Sequence, residues 1–217
     1  MMYVSAIIAV IAAYLIGSVN FAVIFTKIFA HKDVRTVGSG NAGTTNTFRA
    51  AGKKVGILTF ICDFSKGTLS SFLGKIIFQY LFSVTANPMY KPIYGAYICG
   101  LACMIGHILP LFFEFKGGKG VATGAGIYLS FCPIATLIGL GVFAVCLLIS
   151  KTVSVSSLIA TVSVVVSSLI MFDRGCLFLP QLIMSALIGL IIFYKHKDNI
   201  RRIINGEERK VSFGGKK

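Results

Sequence analysis

Charged residues are scarce in this 217-residue chain, and acidic residues are scarcer still. Charged residues make up 13% of the sequence, against about 25% in a typical globular domain, whereas hydrophobic residues reach 56% and the mean hydropathy is +0.85. So few charges cannot supply the polar shell of a soluble fold, and the sequence therefore predicts an integral membrane protein. Only seven residues are Asp or Glu, against 21 Lys or Arg. This excess favours phosphorylated ligands or acidic lipid as partners, and we expect no nucleic acid.

Several catalytic patterns are also missing from the sequence. The seven carboxylates form no cluster of the kind that holds magnesium. No His is followed five residues later by Asp, as in thioester-dependent glycerolipid acyltransferases, and no Ser lies in a GxSxG turn. These absences argue against metal, thioester and serine-hydrolase mechanisms. The cysteines lack CxxC pairing and are interpreted as small buried apolar residues rather than as disulfides or zinc ligands: Cys62, Cys99, Cys103, Cys132, Cys146 and Cys176.

Long apolar runs dominate the rest of the chain, and a spanning helix needs about 20 such residues. No basic residue precedes the first run, so we expect a retained anchor rather than a signal peptide. The fourth run would measure about 44 Å as one helix, and Pro133 lies within it. It is either one tilted span or two short helices that meet at Cys132-Pro133. The runs are Val4–Phe29, Val55–Phe82, Ile93–Leu111, Val121–Ile149, Val153–Phe172 and Leu177–Tyr194.

The distribution of basic residues decides between six spans and seven. With seven spans and the N-terminus outside, 16 of the 21 basic residues lie on the inner side, and only Lys91 and Arg174 lie in outer loops. With six spans, Lys151 and the basic tail would lie on the opposite side of the membrane from the one that the seven-span assignment gives them. We therefore predict an all-α integral membrane protein with about seven transmembrane helices and a cytoplasmic C-terminus. Residues 1–217 would form one polytopic domain, with cytoplasmic segments 31–54, 106–124 and 195–217.

The first polar segment contains glycines and short polar side chains from Val37 to Arg49. Glycines free the backbone to turn N–H groups toward one point, and Arg49 offers a forked cation suited to phosphate. Gly38, Gly40 and Gly43 formally match GxGxxG, but no strand precedes them, which argues against a dinucleotide site. The segment predicts an oxyanion site; the alternative is a flexible polar loop between spans.

The second polar segment reads FEFKGGKGVAT from Phe113 to Thr123. It lacks the upstream glycine of a Walker A loop, and Gly120 stands where that motif has Ser or Thr. A lysine among glycines at the start of a helix is still a strong anion site. The alternative is a tight turn with a lysine that snorkels to the membrane interface. Lys116 fits that alternative, whereas Lys119 is the better ligand.

The third polar segment reads HKDNIRRIINGEE from His196 to Glu208. Helical spacing places His196 and Asn199 on one face, and Asn205-Gly206 is typical of a helix end. Taken alone, the segment equally suits a basic interfacial tail that binds acidic lipid.

Two further polar groups lie at or within the apolar runs. Asp63 and Lys66 are three residues apart and can pair on one helix face. Because such residues are costly in a membrane, we interpret them as a structural ion pair that orients the polar loops, rather than as catalytic groups. Ser154, Ser156 and Ser157 begin the sixth span, where they can contact phosphate or bond to their own helix.

Together, the three polar segments resemble those of the bacterial acyl-phosphate:glycerol-3-phosphate acyltransferases. The family pattern is similar to GSGNxGxTN…R, then GHxxPxFxxFKGGKGxAT, then HxxNIxRxxxGxE, and these match Gly38–Arg49, Gly106–Thr123 and His196–Glu208. The likeness extends over most of the chain. Lys197 replaces a more usual Arg and Glu207 a common Thr, so neither should be essential.

The resemblance implies an enzyme of the bacterial plasma membrane with its active site at the cytoplasmic face. It would transfer a fatty acyl group from acyl phosphate to position 1 of glycerol-3-phosphate, giving lysophosphatidate and phosphate at the start of phospholipid synthesis. It would need no metal or organic cofactor, and it would depend on the enzyme that forms acyl phosphate. Acyl phosphate is already activated, so positioning and electrostatics suffice. The resemblance favours proton transfer to the donor's own phosphate over His196 or His107 as base.

The same resemblance implies two groups of site residues and no metal ligands. The catalytic group, which would hold glycerol-3-phosphate, consists of Ser39, Arg49, Lys119, His196 and Asn199. The substrate-binding group, some of it around the acyl phosphate, consists of Asn41, Gly43, Thr45, Asn46, His107, Gly117, Gly118, Gly120, Thr123, Ser154 and Glu208.

Two other functions are alternatives to this one. A transporter of phosphorylated metabolites would place its ligand groups near the bilayer midplane, but here only Asp63, Lys66 and His107 lie deep in the apolar runs. A scaffold that binds acidic lipid through its tail would lose that role on deletion of Lys210–Lys217. Neither alternative explains the glycine-rich loops.

Overall fold

The computed structural model describes residues 2–175 and 178–211, and all regular structure within these ranges is helical. This confirms the all-α prediction. Three single-turn 3-10 helices cover Val34–Thr36, Pro88–Tyr90 and Leu111–Phe113. The α-helices are α1 (Met2–Ser18), α2 (Phe21–Ala30), α3 (Thr44–Thr85), α4 (Pro92–Ile108), α5 (Val121–Phe131), α6 (Pro133–Ser150), α7 (Val153–Asp173), α8 (Leu179–Lys195) and α9 (Lys197–Ile204).

The chain divides into two compact units, Met1–Phe131 and Cys132–Lys217, called here the first and second unit. The first unit contains α1 to α5 and the polar segments 31–54 and 106–124. The second unit contains α6 to α9 and the polar segment 195–217, of which residues 212–217 lie outside the described part. A single polytopic domain over 1–217 stays a prediction.

Two of the predicted apolar runs consist of two helices each. The first run is interrupted after Ser18, and the side chain of Asn20 caps α2 by accepting a hydrogen bond from the Val23 N–H at 3.2 Å. The fourth run breaks at Cys132, and Pro133 begins α6. Proline suits this first helical position because its missing N–H would have no helical partner there. For the fourth run, the alternative of two helices that meet at Cys132-Pro133 is therefore confirmed.

Helix α3 links the first polar segment to the apolar part of the first unit. Gly52 has φ 86° and ψ 177°, which no helical residue adopts, so the helix is kinked there. The short arm before the kink belongs to the polar segment. The long arm after it carries Lys53, Lys54, Asp63 and Lys66.

Small residues allow the helices of the first unit to approach closely. A Cβ atom on Gly74 of α3 would overlap the carbonyl of Gly95 in α4, and the reverse also holds. In the same way, a Cβ on Gly67 would overlap the carbonyl of Thr123 in α5. Within lipid the hydrophobic effect does not drive helices together. Close packing at small residues stabilises their association instead. In the second unit, α7 packs against α6 and α8, and Ser185 donates a hydrogen bond to Ser168 at 3.1 Å.

Four helical segments in the described ranges are long and apolar enough to cross a membrane, and a fifth is added if α8 and α9, bent by 61°, count as one. Polar side chains keep α3 outside this set, and α5 has only 11 residues. The count of seven and the orientation of the termini stay predictions. The segments are Tyr3–Ala30, Pro92–Phe113, Pro133–Ser150 and Val153–Asp173.

The cysteines within the described ranges are free thiols. Three of them, Cys99, Cys103 and Cys132, are buried, and Cys62 and Cys146 are partly buried. The prediction for Cys176 falls outside the described residues, as does Leu177, the predicted start of the last span.

Candidate active site

The loop of the first polar segment is held by the side chain of Asn46. This side chain is 1% exposed, and its Nδ2 donates to the carbonyls of Val34 and Val37 at 2.7 and 2.8 Å. Its Oδ1 accepts from the N–H of Ser39 at 3.2 Å. Both ends of the amide are thus used to fix the loop, with Gly38 and Gly40 at φ 61° and 70°.

The predicted ligands of this segment lie around the start of α3. Gly43 is the N-cap residue, and Thr45 lies in the first turn, where helix N–H groups lack helical partners. Ser39 is exposed and Asn41 is partly buried just before the helix. Arg49 is exposed on the second turn. The segment therefore presents backbone donors, hydroxyls and a guanidinium at the end of one helix, which suits an anion.

An ion pair joins this loop to the second polar segment. The Asp33 carboxylate accepts from the Arg35 backbone N–H at 2.9 Å and lies 2.9 Å from the Arg35 guanidinium. Arg35 also donates to the carbonyl of Phe113 at 3.2 Å. Hydrogen bonding from Arg35 holds the pKa of Asp33 below its ordinary value and outweighs the opposing effect of burial. Arg35 thus connects the two polar loops.

The glycines of the second loop are packed against the end of α4. The N–H of Gly118 donates to the carbonyl of His107 at 3.1 Å. A Cβ on Gly118 would overlap the His107 ring and lie 3.0 Å from the carbonyl of Ala42, in the first loop. A Cβ on Gly117 would overlap the His107 carbonyl. Both glycines are therefore required by space, and the two polar loops adjoin at Gly118.

The two lysines of the second loop differ in their surroundings. Lys116 is exposed and pairs with the exposed Glu114 at 3.0 Å. Lys119 is partly buried and lies between Gly118 and Gly120, two residues before the first residue of α5. Lys116 is therefore a surface side chain, and the role of Lys119 as the ligand stays a prediction.

The second unit contains a separate polar cluster, made of side chains. The carboxylate of Glu208 accepts from the Ser154 hydroxyl at 2.6 Å and from the Asn199 amide at 2.7 Å. Its other oxygen accepts from Arg202 Nε at 2.8 Å. Asn199 also donates to Ser154 at 2.7 Å. Three predicted site residues from α7, α9 and the tail thus share one hydrogen-bond network.

Burial and hydrogen bonding act in opposite directions on Glu208. Burial alone raises the pKa of its carboxyl group, but the bonds from Ser154, Arg202 and Asn199 outweigh burial and hold the pKa below the ordinary value. The carboxylate is therefore the stable form at neutral pH. A negative charge is fixed at the centre of the second unit's polar cluster.

His196 lies at the bend between α8 and α9 and is 3% exposed. Its Nδ1 is 2.8 Å from the carbonyl of Ile192, which can only accept a hydrogen bond. This contact assigns the proton to Nδ1. Ser156 donates to the carbonyl of Thr152, the residue before α7, so for Ser156 the alternative of bonding to its own helix applies.

Two functional-site neighbours escaped the sequence argument. Arg35 lies outside the glycine motif, and its contact with Phe113 spans 78 positions of sequence, so no local pattern indicates it. Arg202 did carry a signal, because it stands three residues after Asn199 and therefore on the same helix face.

The predicted site residues thus fall into one group in each unit. His107 is buried against the second loop, Thr123 is buried in α5, and Asn46 is buried within the first loop. The roles of all these residues stay predictions. The first unit holds Ser39, Asn41, Gly43, Thr45, Asn46, Arg49, His107, Gly117, Gly118, Lys119, Gly120 and Thr123; the second holds Ser154, His196, Asn199 and Glu208.

Comparison with known proteins extends over nearly the whole chain. The family model for glycerol-3-phosphate acyltransferase matches residues 7–206. The chain is 42% identical over 205 residues to glycerol-3-phosphate acyltransferase 2 of Bacillus anthracis, covering 94% of this chain and 98% of that protein. It is 40% identical over 211 residues to glycerol-3-phosphate acyltransferase of Finegoldia magna, covering 97% and 98%.

Two crystal structures of PlsY (YgiH), an integral membrane glycerol 3-phosphate acyltransferase, resemble this structure. The glycerol 3-phosphate form has a TM-score of 0.80 and 37% identity, and the lysophosphatidic acid form has 0.78 and 36%; 96% of each chain is covered in both. Family, sequence and fold agree over both units. The chain therefore belongs to the glycerol-3-phosphate acyltransferase family and is a multi-pass integral membrane protein.

Proposed function

We propose that this protein transfers a fatty acyl group from acyl phosphate to position 1 of glycerol-3-phosphate, giving lysophosphatidate and inorganic phosphate. The observation that carries the proposal is the second loop, where the partly buried Lys119 stands among glycines at the start of α5. A phosphate leaving group needs such a cation and such backbone donors. PlsY, the similar solved protein, has glycerol 3-phosphate and lysophosphatidic acid forms, which match an acceptor and a product of this reaction.

The reaction requires no covalent enzyme intermediate. The acceptor hydroxyl oxygen attacks the carbonyl carbon of the acyl phosphate, the carbon–oxygen bond to phosphate breaks, and the hydroxyl proton passes to the departing phosphate. Because the donor is a mixed anhydride, the enzyme's task is to hold two phosphates and to stabilise the developing charge. Lys119 and the loop glycines would bind the donor phosphate, and Ser39 and Arg49 the acceptor phosphate.

Within the second unit, Asn199 and His196 are the residues proposed to bind glycerol-3-phosphate. Its cluster fixes Asn199 through Ser154 and Glu208, so the amide is already oriented. The proton on Nδ1 of His196 is donated to the Ile192 carbonyl, and this hydrogen bond fixes the orientation of the ring. If the donor phosphate takes the proton, His196→Ala lowers turnover without changing the acidic limb of the pH–rate profile. Loss of a titration near neutrality in that variant would instead make His196 the general base.

No metal ion enters the proposed reaction. Within residues 2–175 and 178–211, no three side chains of His, Cys, Asp or Glu come together in a way that could hold one. Lys119 and Arg49 supply the positive charge that a metal would otherwise supply. Activity should therefore survive a chelator.

The proposed location is the bacterial plasma membrane, with seven spans, the N-terminus outside and both polar clusters on the cytoplasmic side. The excess of basic residues in the polar segments supports this orientation. Single-cysteine variants at Lys151 and Arg174 test it with a membrane-impermeant thiol reagent in whole cells. Labelling at position 174 alone is expected; labelling at 151 alone would reverse the orientation. The donor would come from an enzyme that forms acyl phosphate.

Donor selection by the purified protein tests the reaction directly. Glycerol-3-phosphate is offered with palmitoyl phosphate, palmitoyl-CoA or palmitoyl-acyl-carrier protein, with chelator throughout, and lysophosphatidate and phosphate are measured. We expect activity with palmitoyl phosphate alone. Equal activity with a thioester would contradict the assignment of the second loop to a leaving phosphate, and inactivity with all three donors in folded protein would favour a transporter.

A further inference from the structure

A buried charge pair lies inside the first unit, on the long arm of α3. The side chains of Asp63 and Lys66 are each 3% exposed, and Lys66 Nζ lies 2.9 Å from Asp63 Oδ1. The predicted ion pair is thereby confirmed. Removing two charges from water costs more than their attraction usually returns, so a buried pair is weak evidence for stability. Its further contacts indicate what else it does.

Lys66 holds the break between α1 and α2. Its ammonium group donates to the carbonyl of Gly17 at 3.0 Å and to that of Val19 at 2.8 Å. These carbonyls lie at the end of α1, where helical N–H partners run out. The third contact of the ammonium group is its ion pair with Asp63. Lys66 therefore ties the broken first span to α3.

Asp63 faces His107 as well as Lys66. Its Oδ1 lies 3.5 Å from Nδ1 of His107, whose ring is 5% exposed. The other ring nitrogen, Nε2, borders Gly118, because a Cβ placed there would overlap it. The His107 carbonyl accepts the Gly118 N–H at 3.1 Å. The ring and backbone of His107 thus form the floor beneath Gly118, and the next residue is Lys119.

We propose that Asp63, Lys66 and His107 are positioning residues that fix Gly118, and through it Lys119, at the distance from the first loop that the reaction requires. The Asp63 carboxylate, 3.5 Å from Nδ1, attracts that edge of the His107 ring and so holds the ring's orientation. Contact with the ring then determines where the Gly118 peptide lies. This role deepens the proposed function and rests on it, and it gives His107 a place beneath the loop rather than on a substrate.

The test removes both buried charges at once. Asp63→Leu alone leaves an unpaired buried ammonium and should destabilise the protein strongly. In the double variant Asp63→Leu/Lys66→Met, no unpaired charge remains, so the melting temperature should recover toward that of the wild type. Turnover should nevertheless stay about 100-fold below that of the wild type, because a displacement of Lys119 by about 1 Å has an effect of that size. Lys75→Met, at an exposed lysine of the same helix, is the matched control and should keep wild-type turnover.

Hydrogen exchange supplies a readout that a merely structural pair would not move. In the double variant, exchange should rise in the peptide covering residues 116–120 and stay unchanged in the middle of α4. Wild-type turnover in the double variant, or low turnover with unchanged exchange at 116–120, would overturn the proposal. Since exchange needs no substrate, this result stands even if acyl phosphate proves not to be the donor.

His107→Leu provides a second arm in case the double variant does not fold. This variant leaves the ion pair intact and removes only the ring beneath Gly118. The expected result is the same local rise in exchange at residues 116–120 with about 100-fold lower turnover. A folded His107→Leu protein with wild-type exchange and turnover would refute the positioning role.

Discussion

The polar clusters of the two units are built from different materials. In the first unit the candidate ligands are the backbone N–H groups of glycine-rich loops together with hydroxyls, Arg49 and Lys119, and the nearby carboxylates of Asp33 and Glu114 are paired with Arg35 and Lys116. In the second unit a carboxylate, Glu208, lies at the centre and side chains surround it. The first arrangement leaves positive potential for an anion, whereas the second neutralises its own charge.

This difference predicts that the two clusters respond differently to substitution. A backbone site is rigid and does not titrate near neutral pH, but it tolerates no added side-chain volume. A side-chain network can be altered one group at a time, and it depends on the ionisation of its central carboxylate. Substitutions in the first unit should therefore lower turnover most, and those in the second unit should act mainly by loosening the tail.

Lys119→Ala should have the largest effect of any single substitution. Loss of one charged donor at a developing anion lowers turnover by roughly 100- to 1000-fold. Lys116→Ala, three residues away on an exposed side chain, is the matched control and should stay within about threefold, because surface ion pairs contribute little. Steady-state kinetics with palmitoyl phosphate provides the comparison. Equal losses in the two variants would mean that the loop acts through net charge.

Gly118→Ala should have the next largest effect, because the added methyl group overlaps the His107 ring. We expect turnover about 30-fold lower from displacement of Lys119, together with about 1–3 kcal/mol of destabilisation from overpacking. Gly141→Ala in α6 is the control, since its Cβ would meet open space. That variant should be neutral or up to about 1 kcal/mol more stable. A thermal melt with parallel kinetics checks both; normal turnover in Gly118→Ala would disprove the steric requirement.

Sequence reasoning succeeded where the cause is local. Pro133 fixes the start of α6 because proline lacks an N–H, and Gly206, with φ 73°, follows the end of α9. The pairing of Asp63 with Lys66 follows from helical spacing alone. These features depend on a residue and its near neighbours in sequence, so a single chain is enough to predict them.

Sequence reasoning did not predict features that depend on tertiary contacts. The break between α1 and α2 lies inside a run that was predicted as one span, and the carbonyls of Gly17 and Val19 are bound by Lys66, 47 positions from Val19. The amide of Asn46 was assigned to substrate, but its hydrogen bonds to the first loop are visible only once that loop is folded. The types of side chain are enough to predict an anion site here. Which of them binds the anion and which holds the loop depends on contacts between residues that are far apart in sequence.

Glu208→Gln should have a moderate effect that depends on pH. The amide keeps one acceptor oxygen but loses the charge that Arg202 and Asn199 bind, and we expect about tenfold lower turnover, equivalent to about 1.4 kcal/mol. The wild-type pKa lies below the ordinary 4.5. Its stabilisation is therefore complete above that value and is lost as the pH falls through the lowered pKa.

Hydrogen exchange in residues 197–211 between pH 6 and 3.5 measures this contribution, after correction for intrinsic exchange rates. Protection in the wild type should decline at the acidic end, whereas Glu208→Gln should show low protection throughout. The adjacent exposed Glu207→Gln is the matched control and should follow the wild type. Wild-type protection and turnover in Glu208→Gln would show that the charge is not what holds the network.

Arg35→Gln should have the smallest effect, because Arg35 joins the two loops of the first unit without being assigned to substrate. Loss of its bond to the Phe113 carbonyl removes about 1 kcal/mol, and the pKa of Asp33 should rise toward its ordinary value. We expect KM for glycerol-3-phosphate to rise about threefold with kcat nearly unchanged, since Asn46 still holds the first loop. Lys32→Gln, an exposed neighbour, should leave both constants unchanged. A tenfold fall in kcat would instead make the link between the loops, rather than each loop's own packing, the source of the first unit's rigidity.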